Sequence, residues 1–158
     1  MSISKVREYL KEYGADERII ELSESSATVE LAAQALGCEG KRIAKSLSFA
    51  LNDAAILVVA AGDAKVDNHA FKETFGVKAK MLSFDEVEAK IGHAVGGVCP
   101  FAINVGVKVY LDESLRRFET VFPACGSSNS AIELTLPELE QFSRFEAWVD
   151  VCKAWREE

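Results

Sequence analysis

Apolar positions at the start of the chain repeat with the spacing of one helix face. Val6, Tyr9, Leu10 and Tyr13 recur at i, i+3, i+4 and i+7, and Gly14 follows as a stop signal, which predicts a helix over residues 4–13. Capping residues followed by the same periodicity predict further helices. These cover residues 29–36 after Thr28, a helix that starts at Asp67 or Asn68 and stops at Gly76, one opened by the capping box at Ser83 that ends before Gly92, and a short helix over 112–117.

Two further capping boxes predict helices near the end of the chain. The first begins at Thr135 and the second, which opens the last helix, at Ser143. The last helix would then carry an apolar stripe made of Phe145, Trp148, Val149, Cys152 and Trp155. We interpret this stripe as part of the core rather than as a binding surface.

Short runs of apolar and β-branched residues, bounded by turn residues, predict the strands. They lie at residues 19–22, 45–51, 55–61, 77–82, 105–111, 120–124 and 131–134. The run 55–61 is apolar almost throughout, as expected of a strand that is covered on both faces. It is predicted to pair with 45–51 around a turn at Asn52-Asp53.

These helices and strands are interspersed without strict β-α-β alternation. The pattern predicts an α/β fold in which helices surround a central, largely antiparallel or mixed sheet. The chain has 158 residues, about half of them apolar, which fits one domain with a sizeable core. Because no repeat, low-complexity segment or linker is present, we interpret residues 1–158 as a single domain.

Charge limits the classes of partner. The formal net charge of −7 argues against strong general affinity for nucleic acid. The charge is uneven, because residues 39–80 carry +2 and the remainder carries −9. Two interpretations of these lysines and arginines stay open: a local basic face, or side chains that keep strand ends and helix faces soluble.

Hydropathy and cysteine spacing indicate the compartment. No apolar run is long enough to cross a bilayer, and residues 1–5 open an amphipathic segment without the hydrophobic region of a signal peptide. The four cysteines lie far apart and form no Cys-x-x-Cys pair, so we expect free thiols and no metal. We therefore expect a cytoplasmic protein that does not bind a membrane.

Two loops are unusually rich in small residues, namely 92–100 and 125–130. Their backbone N–H groups are little screened by side chains, so a ligand can approach the main chain closely. Such groups can hold a carbonyl oxygen, or the oxyanion that forms when water attacks an ester. The alternative interpretation is two tight turns in which glycine supplies a positive φ.

Few side chains with catalytic potential accompany these loops. The sequence contains no Gly-x-Ser-x-Gly elbow, no P-loop and no His-Glu-x-x-His motif. Lys45 begins a predicted strand and can bind a phosphate or a carbonyl as a point charge, although alone it would suggest only a solvated strand end. His93 and Cys99 share one loop and would form a thiol–imidazole dyad only if the loop brings them together.

Four short motifs follow one another along residues 28–134. They are Ala44-Lys45-Ser46-Leu47, Gly62-Asp63-Ala64-Lys65-Val66-Asp67, Gly92-His93-x-x-Gly96-Gly97-Val98-Cys99-Pro100-Phe101 and Ala124-Cys125-Gly126-Ser127. In this order the chain resembles the YbaK/EbsC family, stand-alone relatives of the editing domain inserted in bacterial prolyl-tRNA synthetases. The resemblance implies a compact α/β domain around a mixed, barrel-like sheet. It also implies hydrolysis of the ester that joins a wrong amino acid to the terminal ribose of a tRNA.

The resemblance implies residue roles by position. Lys45 matches the essential lysine of the family, which engages the terminal adenosine and its phosphate. Gly96 and Pro100 match the ends of a Gly-x-x-x-Pro loop that contacts the aminoacyl group, and residues 126–127 match a small-residue wall opposite. The implied catalytic residues are Lys45, Gly96 and Gly97. The implied substrate-binding residues are Thr28, Ser46, Asp63, His93, Val98, Cys99, Pro100, Gly126, Ser127 and Ser128.

The predicted activity is deacylation in trans of a small wrong amino acid such as alanine, cysteine, serine or threonine, most simply from tRNA for proline. An aminoacyl ester is already activated, so positioning and backbone donors suffice for much of the acceleration, with no cofactor and no metal. A pocket made for proline rejects smaller residues weakly, which explains the need for a second site. The attacking group is water, a ribose hydroxyl or, for a cysteinyl substrate, its own thiol.

Two alternative functions remain at this point. One is a module that binds the tRNA acceptor end or a nucleotide without catalysis. The other is a thiol enzyme that uses Cys99 or Cys125. For the predicted deacylase, the negative net charge fits delivery of the aminoacyl-tRNA by prolyl-tRNA synthetase or by an elongation factor.

Overall fold

Five α-helices and ten strands occur in the part of the chain that this computed structural model describes, residues 2–156. The helices are α1 (Ser2–Lys11), α2 (Val29–Leu36), α3 (Asn68–Phe75), α4 (Phe84–Ile91) and α5 (Leu136–Ser143). The strands are β1 (Ile20–Glu21), β2 (Ile43–Leu51), β3 (Ala54–Ala61), β4 (Lys65–Val66), β5 (Lys108–Asp112), β6 (Thr120–Pro123), β7 (Ser130–Ala131), β8 (Leu134–Thr135), β9 (Ala147–Val149) and β10 (Cys152–Lys153). Short 3₁₀ helices cover Asp16–Arg18, Gly40–Arg42 and Glu113–Arg117.

Six strands form one mixed sheet in the order β8-β6-β2-β3-β5-β9. β2 and β3 are an antiparallel hairpin, whereas β6 runs parallel to β2 and β5 runs parallel to β3. Two ribbons, β1–β7 and β4–β10, lie outside this sheet. The predicted class, an α/β fold with a curled, barrel-like mixed sheet and surrounding helices, is confirmed.

The main core is built on β3. Every residue from Ala55 to Ala61 is buried, as the apolar run predicted. Phe49 of β2 points into the same core, and its ring centroid lies 4.8 Å from that of Phe71 in α3. By the two-residue period of β2, Lys45 shares the face of Phe49, whereas Ala44, Ser46 and Ser48 lie on the other face.

The predicted caps of α2, α3, α4 and α5 are confirmed, the last of them in the capping box of Thr135 with Glu138. Thr28 accepts a hydrogen bond from the N–H of Leu31, and α2 ends at Gly37 with φ of 69°. Asp67 caps α3, and the N–H of Ser83 donates to the Glu86 carboxylate at the start of α4. Local capping chemistry thus fixes these boundaries.

The last predicted helix is wrong. Ser143 is the final residue of α5, and Arg144 adopts the left-handed conformation with φ of 52°. The N–H of Glu146 then donates to the carbonyl of Val109, and β9 continues as a parallel partner of β5. The edge of β5 satisfies the backbone of this aromatic and β-branched segment better than an isolated helix would.

Two predicted strands also differ from the structure. Residues 77–82 form no ladder: Met81 makes an isolated bridge to Phe49, and backbone hydrogen bonds at residues 80 and 82 fasten the segment beside β2. The predicted strand 131–134 is divided into β7 and β8, which pair with β1 and β6 respectively. Both differences arise because partner strands, which are distant in sequence, determine how far a strand extends.

Candidate functional site

A cavity of about 370 Å³ lies beside the first half of β2, between α2, α4 and the loop 92–100. Its wall is mainly apolar, with several hydroxyl groups and one charged residue among those described. The lining residues are Ser26, Ala27, Thr28, Val29, Ala32, Leu36, Ile43, Ala44, Lys45, Ser46, Ser48, Met81, Leu82, Phe84, Val87, Val95, Gly96, Val98, Phe122, Ala124, Ser130 and Ala131. This size and polarity are typical of a site for a small organic group.

Lys45 is the charged residue of the cavity wall. Its Nζ donates to the carbonyl of Gly62, at 3.3 Å, and to the carbonyl of Ala64 in the turn after β3. An ammonium has three donors, so one remains for a ligand oxygen. Burial lowers the pKa of Lys45 from its ordinary value, although nearby Cys152 and Asp63 oppose that shift.

Gly62 makes this arrangement of Lys45 sterically possible. A Cβ on Gly62 would lie 2.0 Å from the carbonyl oxygen of Gly40. Only glycine therefore allows the turn after β3 to pass this close to the 3₁₀ helix that precedes β2. The sequence motif that begins at Gly62 thus has a structural reason as well as a candidate functional one.

Two serines of β2 also line the cavity, from the strand face opposite to that of Lys45. Ser46 and Ser48 share a face with Ala44, because side chains two residues apart in a strand point the same way, and all three line the cavity. The Ser46 hydroxyl is buried and has no hydrogen-bond partner among the described residues. A buried hydroxyl without a partner is costly unless a ligand or water satisfies it.

The two loops rich in small residues meet in the structure. A Cβ on Gly97 would lie 2.7 Å from the carbonyl carbon of Gly126 and from the nitrogen of Ser127. Gly96, with φ of 98°, lies opposite Ser128, whose Cβ would be 3.6 Å from a Cβ at position 96. The loops are therefore in direct contact, and the absence of side chains allows it.

The backbone donors of the loop 92–100 are not all free. The N–H of Gly97 donates to the carbonyl of Ala94 at 3.0 Å, so it is already used within the loop. The N–H groups of Gly96 and Val98, which both line the cavity, donate to no backbone carbonyl in residues 2–156. These two are consequently the better candidates for oxyanion donors, and Gly97 acts in loop packing.

His93 and Cys99 are brought together, but inside the protein. Both are fully buried, and the Cys99 sulfur lies 3.5 Å from Nε2 of His93, which also contacts the carbonyl of Phe101 at 2.7 Å. Burial raises the pKa of the Cys99 thiol to about 12 and lowers the pKa of His93. Neither residue lines the cavity, and the surroundings disfavour the thiolate–imidazolium pair that a thiol enzyme needs.

Cys125, the other candidate thiol, is also fully buried. Burial raises its pKa well above the ordinary value. It does not line the cavity. The geometry therefore gives the thiol alternative no reactive sulfur at this site.

The predicted site residues divide into three groups by position. Those that line the cavity are Thr28, Lys45, Ser46, Gly96 and Val98. Those that form the contact between the loops beside it are Gly97, Gly126, Ser127 and Ser128. Those that lie away from the cavity wall are Asp63, His93, Cys99 and Pro100.

The residues away from the wall have other contacts. The Asp63 carboxylate pairs with the Arg117 guanidinium at 2.6 Å, and the hydrogen bonds from Arg117 lower the pKa of Asp63. Pro100 is buried at the end of its loop. In this structure these residues support the loops rather than face the cavity.

Sequence reasoning missed several residues of the cavity wall. Ser48 was recoverable from the two-residue period of β2, because it follows Ser46 on the same face. No local sequence pattern indicates that α2, α4 and Phe122 line one cavity, since these segments meet only in the folded chain. The exposed apolar side chains of Met81, Phe84 and Val95 at the mouth were missed for the same reason.

No group of three or more His, Cys, Asp or Glu side chains in residues 2–156 is arranged to hold a metal ion. None of the helices in this range has the length and hydrophobicity needed to traverse a bilayer.

Sequence comparison places these features in a family. The family model for the aminoacyl-tRNA editing domain matches residues 23–142, which contain the whole cavity wall. The uncharacterized protein YwhH of Bacillus subtilis (strain 168) is 54% identical over 156 residues, covering 98% of this chain and 99% of YwhH. The predicted resemblance is therefore confirmed.

Two further matches are a proline–tRNA ligase and a solved structure. A proline–tRNA ligase of Shouchella clausii (strain KSM-K16) is 30% identical over 104 residues, which cover 65% of this chain and 18% of the ligase. A crystal structure described as a candidate trans-editing enzyme for prolyl-tRNA synthetase superposes with a TM-score of 0.86 at 29% identity. That match covers 96% of this chain and 97% of the other.

Proposed function

Since this chain belongs to the aminoacyl-tRNA editing domain family, we propose that it is a hydrolase that removes a wrongly attached amino acid from tRNA. The observation that carries the proposal is the cavity beside Lys45, whose wall includes backbone of the loop 92–100. An ester placed there meets one cation and candidate N–H donors, so charge that develops on its carbonyl oxygen is stabilised.

The composition of the wall supports a small, uncharged amino acid. Apart from Lys45, the described lining residues are apolar or carry hydroxyl groups, so the wall offers no acidic partner for a basic side chain. Alanine, cysteine, serine and threonine fit this description. The unpaired hydroxyl of Ser46 would gain a partner from the ester or from a polar substrate side chain.

The proposed tRNA is the one for proline. Support comes from the partial match to a proline–tRNA ligase and from the superposition on a candidate trans-editing enzyme for prolyl-tRNA synthetase. A synthetic site shaped for proline admits residues of similar or smaller size, because a methylene group is worth only about 1–3 kcal/mol. A separate small cavity can clear such products.

Delivery by a partner belongs to the same proposal. The protein has a formal net charge of −7, so phosphate contacts supply little general affinity for tRNA. Prolyl-tRNA synthetase or an elongation factor that presents the acceptor end would compensate for this weakness. The proposed site of action is the cytoplasm, where aminoacyl-tRNA is made.

The first test replaces Lys45. We expect Lys45→Met to lower the rate of tRNA deacylation at least about 100-fold, because a preorganised charge near a developing oxyanion is worth several kcal/mol. Lys108→Met is the matched control, since it removes one positive charge at the opposite end of the sheet. Circular dichroism must show that both variants fold. Full activity in folded Lys45→Met protein would contradict the role of the lysine.

The second test separates hydrolysis from binding. Stoichiometric protein is incubated with a panel of tRNAs, each charged with one wrong amino acid, and the surviving ester is measured over time. We expect loss of the ester from tRNA for proline that carries a small residue, with prolyl-tRNA spared. If every ester survives while the tRNA is bound, the non-catalytic module is the correct function.

A further inference from the structure

The mouth of the cavity carries three exposed apolar side chains. Phe84 is 76% exposed, Met81 is 56% exposed and Val95 is 48% exposed, and all three line the cavity. Exposed large apolar groups that cluster beside a cavity mark a binding surface more often than isolated ones do. We call these three residues the apolar rim.

The apolar rim is held in place before any ligand arrives. Met81 bridges to Phe49, and backbone hydrogen bonds on both sides of it fasten the segment to β2. Phe84 is the first residue of α4, directly after the capping box at Ser83. Val95 lies in the loop 92–100, which the hydrogen bond from Gly97 to Ala94 closes. Little ordering is therefore needed for binding.

We propose that the terminal adenine of the tRNA stacks on Phe84, with Met81 and Val95 completing the apolar rim. This inference rests on the proposed function, because it takes the substrate from there. The ester and the adenine are attached to the same ribose. When the aminoacyl group occupies the cavity, the base must therefore lie within one sugar of the mouth, where the apolar rim is.

The charge of the protein favours stacking as the source of affinity. Phosphate contacts help little at a net charge of −7, whereas base stacking on an aromatic ring does not depend on net charge. Within residues 2–156, Phe84 belongs to none of the aromatic pairs, so no aromatic partner competes for its ring. An open aromatic ring at the end of a site is what an unstacked base requires.

The test uses an RNA hairpin that carries no amino acid and has a single-stranded CCA end, in which 2-aminopurine replaces the terminal adenine. We expect the wild-type protein to quench the fluorescence of this base on binding. Phe84→Ala should abolish the quenching and weaken binding about tenfold or more, because stacking contributes about 1–3 kcal/mol per base. Phe84→Tyr should retain both properties, and Phe84→Leu should bind with intermediate affinity and little quenching.

Two controls keep this test specific. Val105→Ala removes another fully exposed apolar side chain, one that does not line the cavity, and should change nothing. The dependence of log Kd on log salt concentration should have the same slope in wild type and Phe84→Ala, since no counterion is released by stacking. In deacylation assays Phe84→Ala should raise KM and leave kcat nearly unchanged.

The outcomes distinguish this inference from the proposed function. If wild type quenches the probe but hydrolyses no ester, adenine stacking on Phe84 is supported and the proposed hydrolase activity is contradicted. If wild type hydrolyses esters and Phe84→Ala shows the same quenching and the same KM, adenine stacking on Phe84 is refuted and the proposed hydrolase activity is supported. A dimer that Phe84→Ala converts to monomer in sedimentation, with RNA binding unchanged, would identify the rim as a self-association surface and overturn the inference.

Discussion

Glycines hold the backbone segments of the site together at the scale of single residues. Gly62 allows the turn that carries the carbonyl partner of Lys45 to pass against Gly40, and Gly97 allows the two small-residue loops to touch. In both places a single methyl group would overlap backbone atoms, which cannot move aside as a side chain can. These glycines therefore support the site by allowing its backbone segments to pack closely.

Gly97→Ala tests this role. The new Cβ would lie 2.7 Å from backbone atoms of residues 126 and 127, so we expect a loss of about 1–3 kcal/mol in unfolding free energy and a lower rate of deacylation. Urea unfolding followed by fluorescence measures the first quantity. Gly40→Ala is the control, because its Cβ would meet only the Val29 side chain at 3.4 Å. Equal stability of Gly97→Ala and wild type would argue against the contact.

At the scale of elements, α2 forms one wall of the cavity. It presents Val29, Ala32 and Leu36 to the cavity, and it is bounded by Thr28 at one end and by Gly37 at the other. The helix is only eight residues long, so its end groups matter more than in a long helix. The position of the wall therefore depends on the cap at Thr28.

Substitutions of Thr28 separate capping from substrate contact. Thr28→Ala should cost about 1 kcal/mol of unfolding free energy, because the N–H of Leu31 loses its acceptor, and Thr28→Ser should restore the cap. Thermal denaturation measures stability, and the deacylation assay measures function. If the serine variant is fully stable but as inactive as the alanine variant, the threonine methyl group must contact the substrate.

At the scale of the whole molecule, one chain of hydrogen bonds connects the C-terminal strands with Lys45. Asp112 is fully buried and accepts from the N–H groups of Ser114 and Val151, both at 2.9 Å. The hydroxyl of Ser114 in turn accepts from the N–H of Ala61, at the end of β3. Gly62, which follows directly, supplies a carbonyl to Lys45. The segment around Val151, distant in sequence, thereby supports the site.

Replacing Asp112 tests this connection. Asp112→Ala leaves two buried N–H groups without acceptors, so we expect a loss of about 3 kcal/mol in urea unfolding. Asp112→Asn keeps one acceptor oxygen and should lose less. Asp150→Ala is the control, because it removes only a surface ion pair with Arg156 and should change stability by less than about 1 kcal/mol. Comparable stability of all three variants would show that the buried carboxylate is not a structural hub.

Local signals in the sequence determined the helices α2, α3 and α4 and the buried strand β3. Capping residues, C-terminal glycines and an unbroken apolar run act within a few residues, so their meaning does not depend on distant contacts. Likewise, the motifs around Lys45 and Gly96 identified residues that do line the cavity. The capping box at Ser143 shows the limit, because Ser143 ends α5 and the residues that follow the box, Ala147–Val149, pair with β5 instead of forming a helix.

Only the tertiary structure decided which faces enclose the cavity. The parallel strand β6 lies beside β2 although about 80 residues separate them, and the wall from α2, α4 and the apolar rim is assembled by such long-range pairing. The same pairing buried His93 and Cys99 and directed Asp63 to Arg117. A sequence specifies the chemistry of each segment, but the distances between segments follow from packing the whole chain around one core.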